Sequence, residues 1–202
     1  MKRALVAGFL AVAALGVAGW FLFKGQPAST PREANGNAQR QEQTSNPNEH
    51  DFFDVDFSRK MIVHHQQAIE MTDAILVTSA NPTIRELATS IRQKQSEAEQ
   101  RYKDWLNEWG ETYTNLSDFP QMDGHDMYPS YPGLVPAASM SKLKSAAGTE
   151  ADELFVSLIT VHHQGGIEIG EMSRKLQYGK LIEYKYKVFK SYQDDLDRLK
   201  LL

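Results

Sequence analysis

The sequence predicts an all-α protein, a four-helix bundle in which one helical hairpin occurs twice. The motif VHHQQAIE at residues 63–70 recurs as VHHQGGIE at residues 161–168, a spacing of 98 residues without an insertion. Apolar residues on both sides of each copy follow the helical period of 3.6. No segment has the alternating pattern of a strand. Two similar hairpins with a long connection between them predict a bundle.

The first hairpin is expected to span about residues 51–110. Its first helix carries a stripe at alternating spacings of four and three residues: Phe57, Met61, His64, Ala68, Met71 and Ile75. Asn81 can cap the second helix, and Pro82 suits its first position. Gly110 is a suitable residue for the end of that helix. The stripe should therefore face the core.

The second hairpin is expected to span about residues 149–202, after a crossover over residues 111–148. Prolines and glycines make the crossover irregular, with a short helix over 136–147. Thr149 with Asp152 resembles a capping box at the start of the third helix. A break near Gly179 separates it from the fourth, whose predicted stripe is Ile182, Tyr186, Phe189, Gln193 and Leu196.

The N-terminus predicts export. Lys2 and Arg3 precede an uncharged run over residues 4–23, about 30 Å long as a helix. The basic pair favours a cytoplasmic N-terminus and an exported remainder. Residues 1–24 are therefore expected to anchor the chain in the membrane, with a cleaved signal peptide as the alternative. Polar residues 25–50 should form a flexible linker to a domain on the extracytoplasmic side of the bacterial envelope, or in the periplasm or medium after cleavage.

Composition excludes several functional classes. The net charge of −4 gives no basic field for nucleic acid. The chain has no cysteine, which rules out disulfides, thiolate zinc sites and iron–sulfur clusters. It also has no Glu-x-x-His element of the di-iron bundles and no catalytic triad or phosphate loop. We therefore expect a protein that is not an enzyme.

The duplicated histidines instead predict a metal site. His64 and His162 lie on the predicted core stripes, and His65 and His163 flank them. Gln95 and Gln193 occupy stripe positions at the same level, counted from the hairpin turns. A glutamine amide can accept from one imidazole nitrogen and leave the other as a ligand. One shared site, one site per hairpin, and a purely structural polar network all remain open.

Methionines indicate which metal is bound. Met61 and Met71 are near the first histidine pair, and Met122, His125 and Met127 lie together in the crossover sequence MDGHDM. Thioether and imidazole together suit Cu(I), whereas zinc more often recruits carboxylates. Copper is therefore favoured over other transition metals, although helical methionines also serve as ordinary core residues.

Both copies carry a family resemblance. DFSRKMIVHHQQAIEM with Gln95, and ELFVSLITVHHQGGIEI with Gln193, resemble the bacterial family called domain of unknown function 305 over about residues 51–202. The resemblance implies a ferritin-like bundle, export or membrane anchoring, and copper binding in some members. It implicates these residues as ligands: Met61, His64, His65, Met71, His162 and His163.

The second copy departs from the family pattern. Ile159 and Ile169 stand where the motif typically has methionine, and Met172 could compensate. Together these features predict a membrane-anchored copper-binding protein for sequestration or transfer, with a copper-handling partner and an undetermined oligomeric state. The alternative is a metal-free structural or interaction bundle of the envelope with a buried His/Gln network.

Overall fold

The computed structural model describes residues 46–113, 115–118 and 131–202. These residues form five α-helices and one 3₁₀ helix, Leu116–Asp118, with no strand among them. The helices are α1 (Phe52–Thr78), α2 (Pro82–Glu108), α3 (Ala137–Ser145), α4 (Gly148–Met172) and α5 (Gly179–Leu199). The all-α prediction is confirmed. The predicted membrane anchor, most of the linker and the MDGHDM sequence lie outside the described residues, within which no helix is long and apolar enough to span a bilayer.

Side-chain caps begin the two helices of the first hairpin. Asp51 accepts from the backbone amides of Phe53 and Asp54, and Asp54 accepts in return from the amide of Asp51. Asn81 caps α2 as predicted, with Pro82 in its first position.

The capping box predicted at Thr149 is wrong. Gly148, at φ +59°, turns the chain from α3 directly into α4, so that Thr149 already lies inside the helix. Ala147 occupies the capping position and offers no side-chain hydrogen bond.

The four long helices bury two apolar clusters, one on each side of the duplicated histidines. Met61 and Ile169 belong to one cluster, and Met71 and Ile159 belong to the other. Because each cluster combines the start of one motif with the end of the other, α1 and α4 run past each other in opposite directions. Their crossing lies at the histidines.

The second hairpin is not an exact copy of the first. The chain between its helices covers residues 173–178, whereas residues 79–81 join α1 to α2. The buried face of α5 is consequently shifted by one residue from the predicted stripe and carries Leu181, Lys185, Val188, Tyr192, Asp195, Leu196 and Leu199. The predicted burial of Tyr186 and Gln193 is wrong, since both are exposed.

Candidate metal centre

The histidines of both motifs meet inside the bundle. His64, His65, His162 and His163 have no solvent-exposed surface. The rings of His64 and His162 stack with their centroids 3.7 Å apart and their planes at 21°. His64 Nε2 lies 3.2 Å from the backbone oxygen of His162, and His162 Nε2 lies 3.0 Å from that of His64. Each ring thus contacts the main chain of the other copy.

These contacts assign the proton on two of the rings. A carbonyl oxygen can only accept, so His64 carries its proton on Nε2. His65 Nδ1 lies 2.5 Å from Gln95 Oε1 and therefore carries the proton of that ring. Within the described residues, His64 Nδ1 and His65 Nε2 are buried and have no hydrogen-bond partner. Each ring consequently presents one unshared lone pair. For His65, this is the arrangement expected when a glutamine accepts from the other nitrogen.

His162 has a different environment, because both of its nitrogens face carbonyl oxygens. Nδ1 lies 3.0 Å from the oxygen of Gly133, and Nε2 lies 3.0 Å from that of His64. Burial lowers the pKa of His162 to about 3, so the ring is neutral near pH 7 and donates only one hydrogen bond at a time. This ring fixes the crossing of α1 and α4.

The fourth ring, His163, pairs with a carboxylate rather than an amide. Its Nε2 lies 3.5 Å from Asp195 Oδ2, while Lys94 Nζ lies 2.8 Å from Asp195 Oδ1. Burial raises the pKa of Asp195, but the contacts with His163 and Lys94 outweigh it and bring the pKa below its ordinary value. Gln193, predicted to accept from an imidazole of the second motif, is exposed and donates to Asp197 instead.

Tyr192 occupies the place on α5 that Gln193 was predicted to fill. Its Oη lies 3.1 Å from His65 Nδ1, and its ring centroid lies 4.6 Å from that of His163. A Cβ atom at Gly166 would lie 2.5 Å from the Tyr192 ring and 2.8 Å from His64 Cε1. Gly166 therefore makes room for both rings. Tyr192 was not predicted as a site residue, because the ungapped repeat aligned Gln193 with Gln95.

The two glutamines after the first histidine pair hold two points of the crossover. Gln67 donates to the backbone oxygen of Val135 at 2.8 Å and accepts from its amide at 2.7 Å. Gln66 accepts from the amide of Leu116 at 2.6 Å and donates to Asn115 Oδ1 at 2.9 Å. Neither glutamine was predicted to have a role, although both belong to the duplicated motif.

The predicted sulfur ligands are divided among several places. Met61 and Met71 are fully buried, in the two clusters on either side of the histidines. Met172 is 59% exposed at the end of α4, in a groove with Phe53, and is not brought to the histidines. Met122, His125 and Met127 lie outside the described residues.

The chemistry of these donors suits a soft cation. Burial lowers the pKa of His64 well below its ordinary value and that of His65 to about 4, so binding near pH 7 displaces no proton. Within the described residues, His163 Nδ1 is a third buried imidazole nitrogen without a partner, beside His64 Nδ1 and His65 Nε2. Imidazole nitrogens with thioethers in the adjoining core match the preferences of Cu(I). Among the described residues, no three imidazole or carboxylate groups surround one point. A site here would therefore use few ligands or require a ring to turn.

The fold and the histidine cluster define a class, all-α bundles with duplicated histidine pairs buried where two helices cross. The chain belongs to the family named domain of unknown function (DUF305), whose model matches residues 54–202. The predicted resemblance is confirmed. No curated protein matches the chain in sequence.

Solved structures share this fold. A DUF305 protein of Streptomyces coelicolor, named as secreted, is 26% identical with a TM-score of 0.63, and the match covers 73% of this chain and 88% of that one. A DUF305 fragment from Deinococcus radiodurans is 19% identical with a TM-score of 0.65, covering 75% and 95%. CopM in its Cu(I)-bound form is 20% identical with a TM-score of 0.57, covering 73% and 93%.

Proposed function

We propose that this protein binds copper ions, with Cu(I) preferred, in the cluster formed by His64, His65, His162 and His163. The observation that carries the proposal is the pair of buried, unpartnered nitrogens on His64 and His65. Leaving a buried polar atom without a partner costs about 1–3 kcal/mol. A cation that accepts both lone pairs would remove that cost.

The neighbouring groups give each open nitrogen a fixed direction. The His162 carbonyl holds His64 through Nε2, and Gln95 holds His65 through Nδ1. Such contacts with the far nitrogen orient metal-bound histidines and strengthen them as ligands. Met61 is a candidate for a soft third ligand, because it belongs to the buried cluster that also contains Tyr102 and Tyr192, and both tyrosine rings pack against His65. The solved CopM structures carry copper on a similar fold.

On this proposal the protein sequesters or transfers copper ions and does not catalyse a reaction. The apolar run at residues 4–23 and the likeness to a Streptomyces protein named as secreted support a place outside the cytoplasm, with the run as a membrane anchor. A copper-handling protein would then deliver or receive the ion there. MDGHDM is a second candidate for binding, carried by its residue types alone.

Titration of the purified chain with Cu(I) against a competing Cu(I) chelator tests the proposal. His64→Ala combined with His65→Ala should weaken binding at least 100-fold, about 2.7 kcal/mol, because both open nitrogens are lost. His50→Ala is the matched control, since His50 stacks on Trp109 away from the cluster and should leave affinity unchanged. A folded double variant that retains the affinity of the unmodified chain contradicts the core site.

Replacing the crossover ligands separates the second candidate from the first. Met122→Leu, His125→Ala and Met127→Leu together should leave the tight binding at the histidines unchanged. The number of bound copper ions falls by one if the crossover binds copper, and stays the same if it does not. Loss of tight binding in this variant alone would place the copper in the crossover and contradict the core site.

One observation favours a structural role for the histidines as the alternative function. The reciprocal contacts of His64 and His162 with each other's carbonyl oxygens fix how α1 crosses α4 without any ion. An envelope bundle of this kind would show no rise in melting temperature with Cu(I). Binding to the folded state must raise that temperature.

A further inference from the structure

A cavity of about 290 Å³ lies between α2 and α5 and reaches the histidine cluster. His65, Gln95 and Tyr192 line its buried end, and the exposed residues Lys187 and Asp194 line its outer part. A second cavity of about 500 Å³ adjoins it and shares Glu97, Tyr184 and Lys187 as lining residues. We call the two cavities together the α2–α5 groove.

The opposite side of the cluster is covered, among the described residues, by a stretch of the crossover. A Cβ atom at Gly165 of α4 would lie 2.2 Å from the backbone nitrogen of Gly133, so the crossover rests directly on this helix at Gly133. Gln67 holds the same stretch of crossover through both hydrogen bonds with Val135. His162 also contacts the Gly133 carbonyl, so residues 133–135 cover this side of the cluster within the part of the chain that the structure describes.

An ion pair joins α2 to α5 beside the buried end of the groove. Lys94 of α2 contacts Asp195 of α5 at 2.8 Å; the lysine side chain is 37% exposed and the carboxylate is fully buried. The other carboxylate oxygen of Asp195 lies 3.5 Å from His163. The pair therefore connects the groove to the histidine cluster and resists separation of the two helices.

We propose that Cu(I) reaches and leaves the histidine cluster through the α2–α5 groove, and that the Lys94–Asp195 pair limits the rate of its passage. The inference rests on the proposed copper binding and adds its route. α2 and α5 belong to different hairpins, so they can separate without opening either one. Lys94 is partly exposed, so its pairing with Asp195 is open to screening by salt.

Measuring the rates of Cu(I) loading and of removal by a chelator, by stopped flow on the full chain, tests this route. Glu97→Trp with Ser191→Phe fills the groove from both helices. Both rates should fall about tenfold while the dissociation constant stays the same, because a route affects only the barrier. Thr89→Trp is the control, an exposed α2 position outside the groove.

Lys94→Gln tests the ion pair in the opposite direction. In the unmodified chain both rates should rise with salt, because salt weakens the ion pair. Lys94→Gln should raise both rates and remove this salt dependence. Lys94→Arg should keep the rates and the salt dependence of the unmodified chain. Filling variants that exchange copper as fast as Thr89→Trp overturn the route while leaving the binding proposal intact. An unmodified chain that binds no Cu(I) overturns both.

Discussion

At the scale of single residues, the histidines differ by what each ring nitrogen meets. The spacing of the two motifs predicted which histidines lie on the core stripe, and Gln95 was predicted from its polar side chain at a core position. The partner of each remaining nitrogen could not be predicted. The Gly133 carbonyl beside His162 and the Asp195 carboxylate beside His163 come from segments whose position depends on the whole fold.

The stability of the metal-free protein should depend on these buried rings in mild acid. Burial lowers the pKa of His65 to about 4 and that of His162 to about 3, from 6.5 in the unfolded chain. Between the lowered pKa values and 6.5, the unfolded chain binds more protons than the folded chain does. The free energy of unfolding therefore falls as the pH falls below 6.5. The loss at pH 5 should be on the order of 1–2 kcal/mol per ring.

Urea unfolding at pH 7.5 and pH 5 measures this effect. His65→Gln should reduce the difference between the two pH values, since it removes one buried titrating group. His50→Gln, at a half-buried position away from the cluster, should retain the full difference. Equal unfolding free energies of the unmodified chain at both pH values would show that the rings do not resist protonation.

A second residue-scale prediction concerns the contact of the crossover with α4. Gly165→Ala should lower the free energy of unfolding by about 1–3 kcal/mol, because its methyl group would overlap the backbone of Gly133. Thermal or urea unfolding measures the loss. Gln164→Ala, at the exposed neighbouring position, should change stability by less than about 0.5 kcal/mol. If Gly165→Ala lost as little stability as Gln164→Ala, the crossover would not rest on α4.

At the scale of helices, the apolar pattern predicted the buried face of α1 and misplaced that of α5. All six residues of the predicted α1 stripe are buried, because that stripe follows the 3.6-residue period without interruption. In α5 the repeat was extended across a turn of different length. The structure instead aligns Tyr192 with Gln95, which are 97 residues apart. The helical period of the apolar residues cannot reveal such a shift, because it carries no information about the length of the loop between α4 and α5.

The antiparallel crossing of α1 and α4 predicts how a lost methionine can be restored. Ile169 belongs to the same buried cluster as Met61. Ile169→Met should therefore add a thioether on the side of Met61 and strengthen Cu(I) binding several-fold, provided the side chain packs at similar volume. Competition with a Cu(I) chelator measures the change. Leu181→Met, in the same cluster but on α5, is the control for thioether content. An equal gain at both positions would rule out direct ligation by residue 169.

At the scale of the whole molecule, the two hairpins are unequal around a nearly symmetric centre. His64 and His162 contact each other's main chain reciprocally, whereas His65 meets an amide and His163 a carboxylate. Duplication in the sequence predicted the symmetry. The inequality arises from the shifted face of α5, which brings Tyr192 and Asp195 to the cluster in place of the predicted glutamine.

Gln66 and Gln67 tie two points of the connection between the hairpins to one turn of α1. The amide of Leu116 donates to Gln66 and the amide of Val135 donates to Gln67, and the same turn bears His64 and His65. A rotation of this turn on ligation would therefore displace residues 116 and 135 in concert, and an event at the imidazoles would be mechanically coupled to both points.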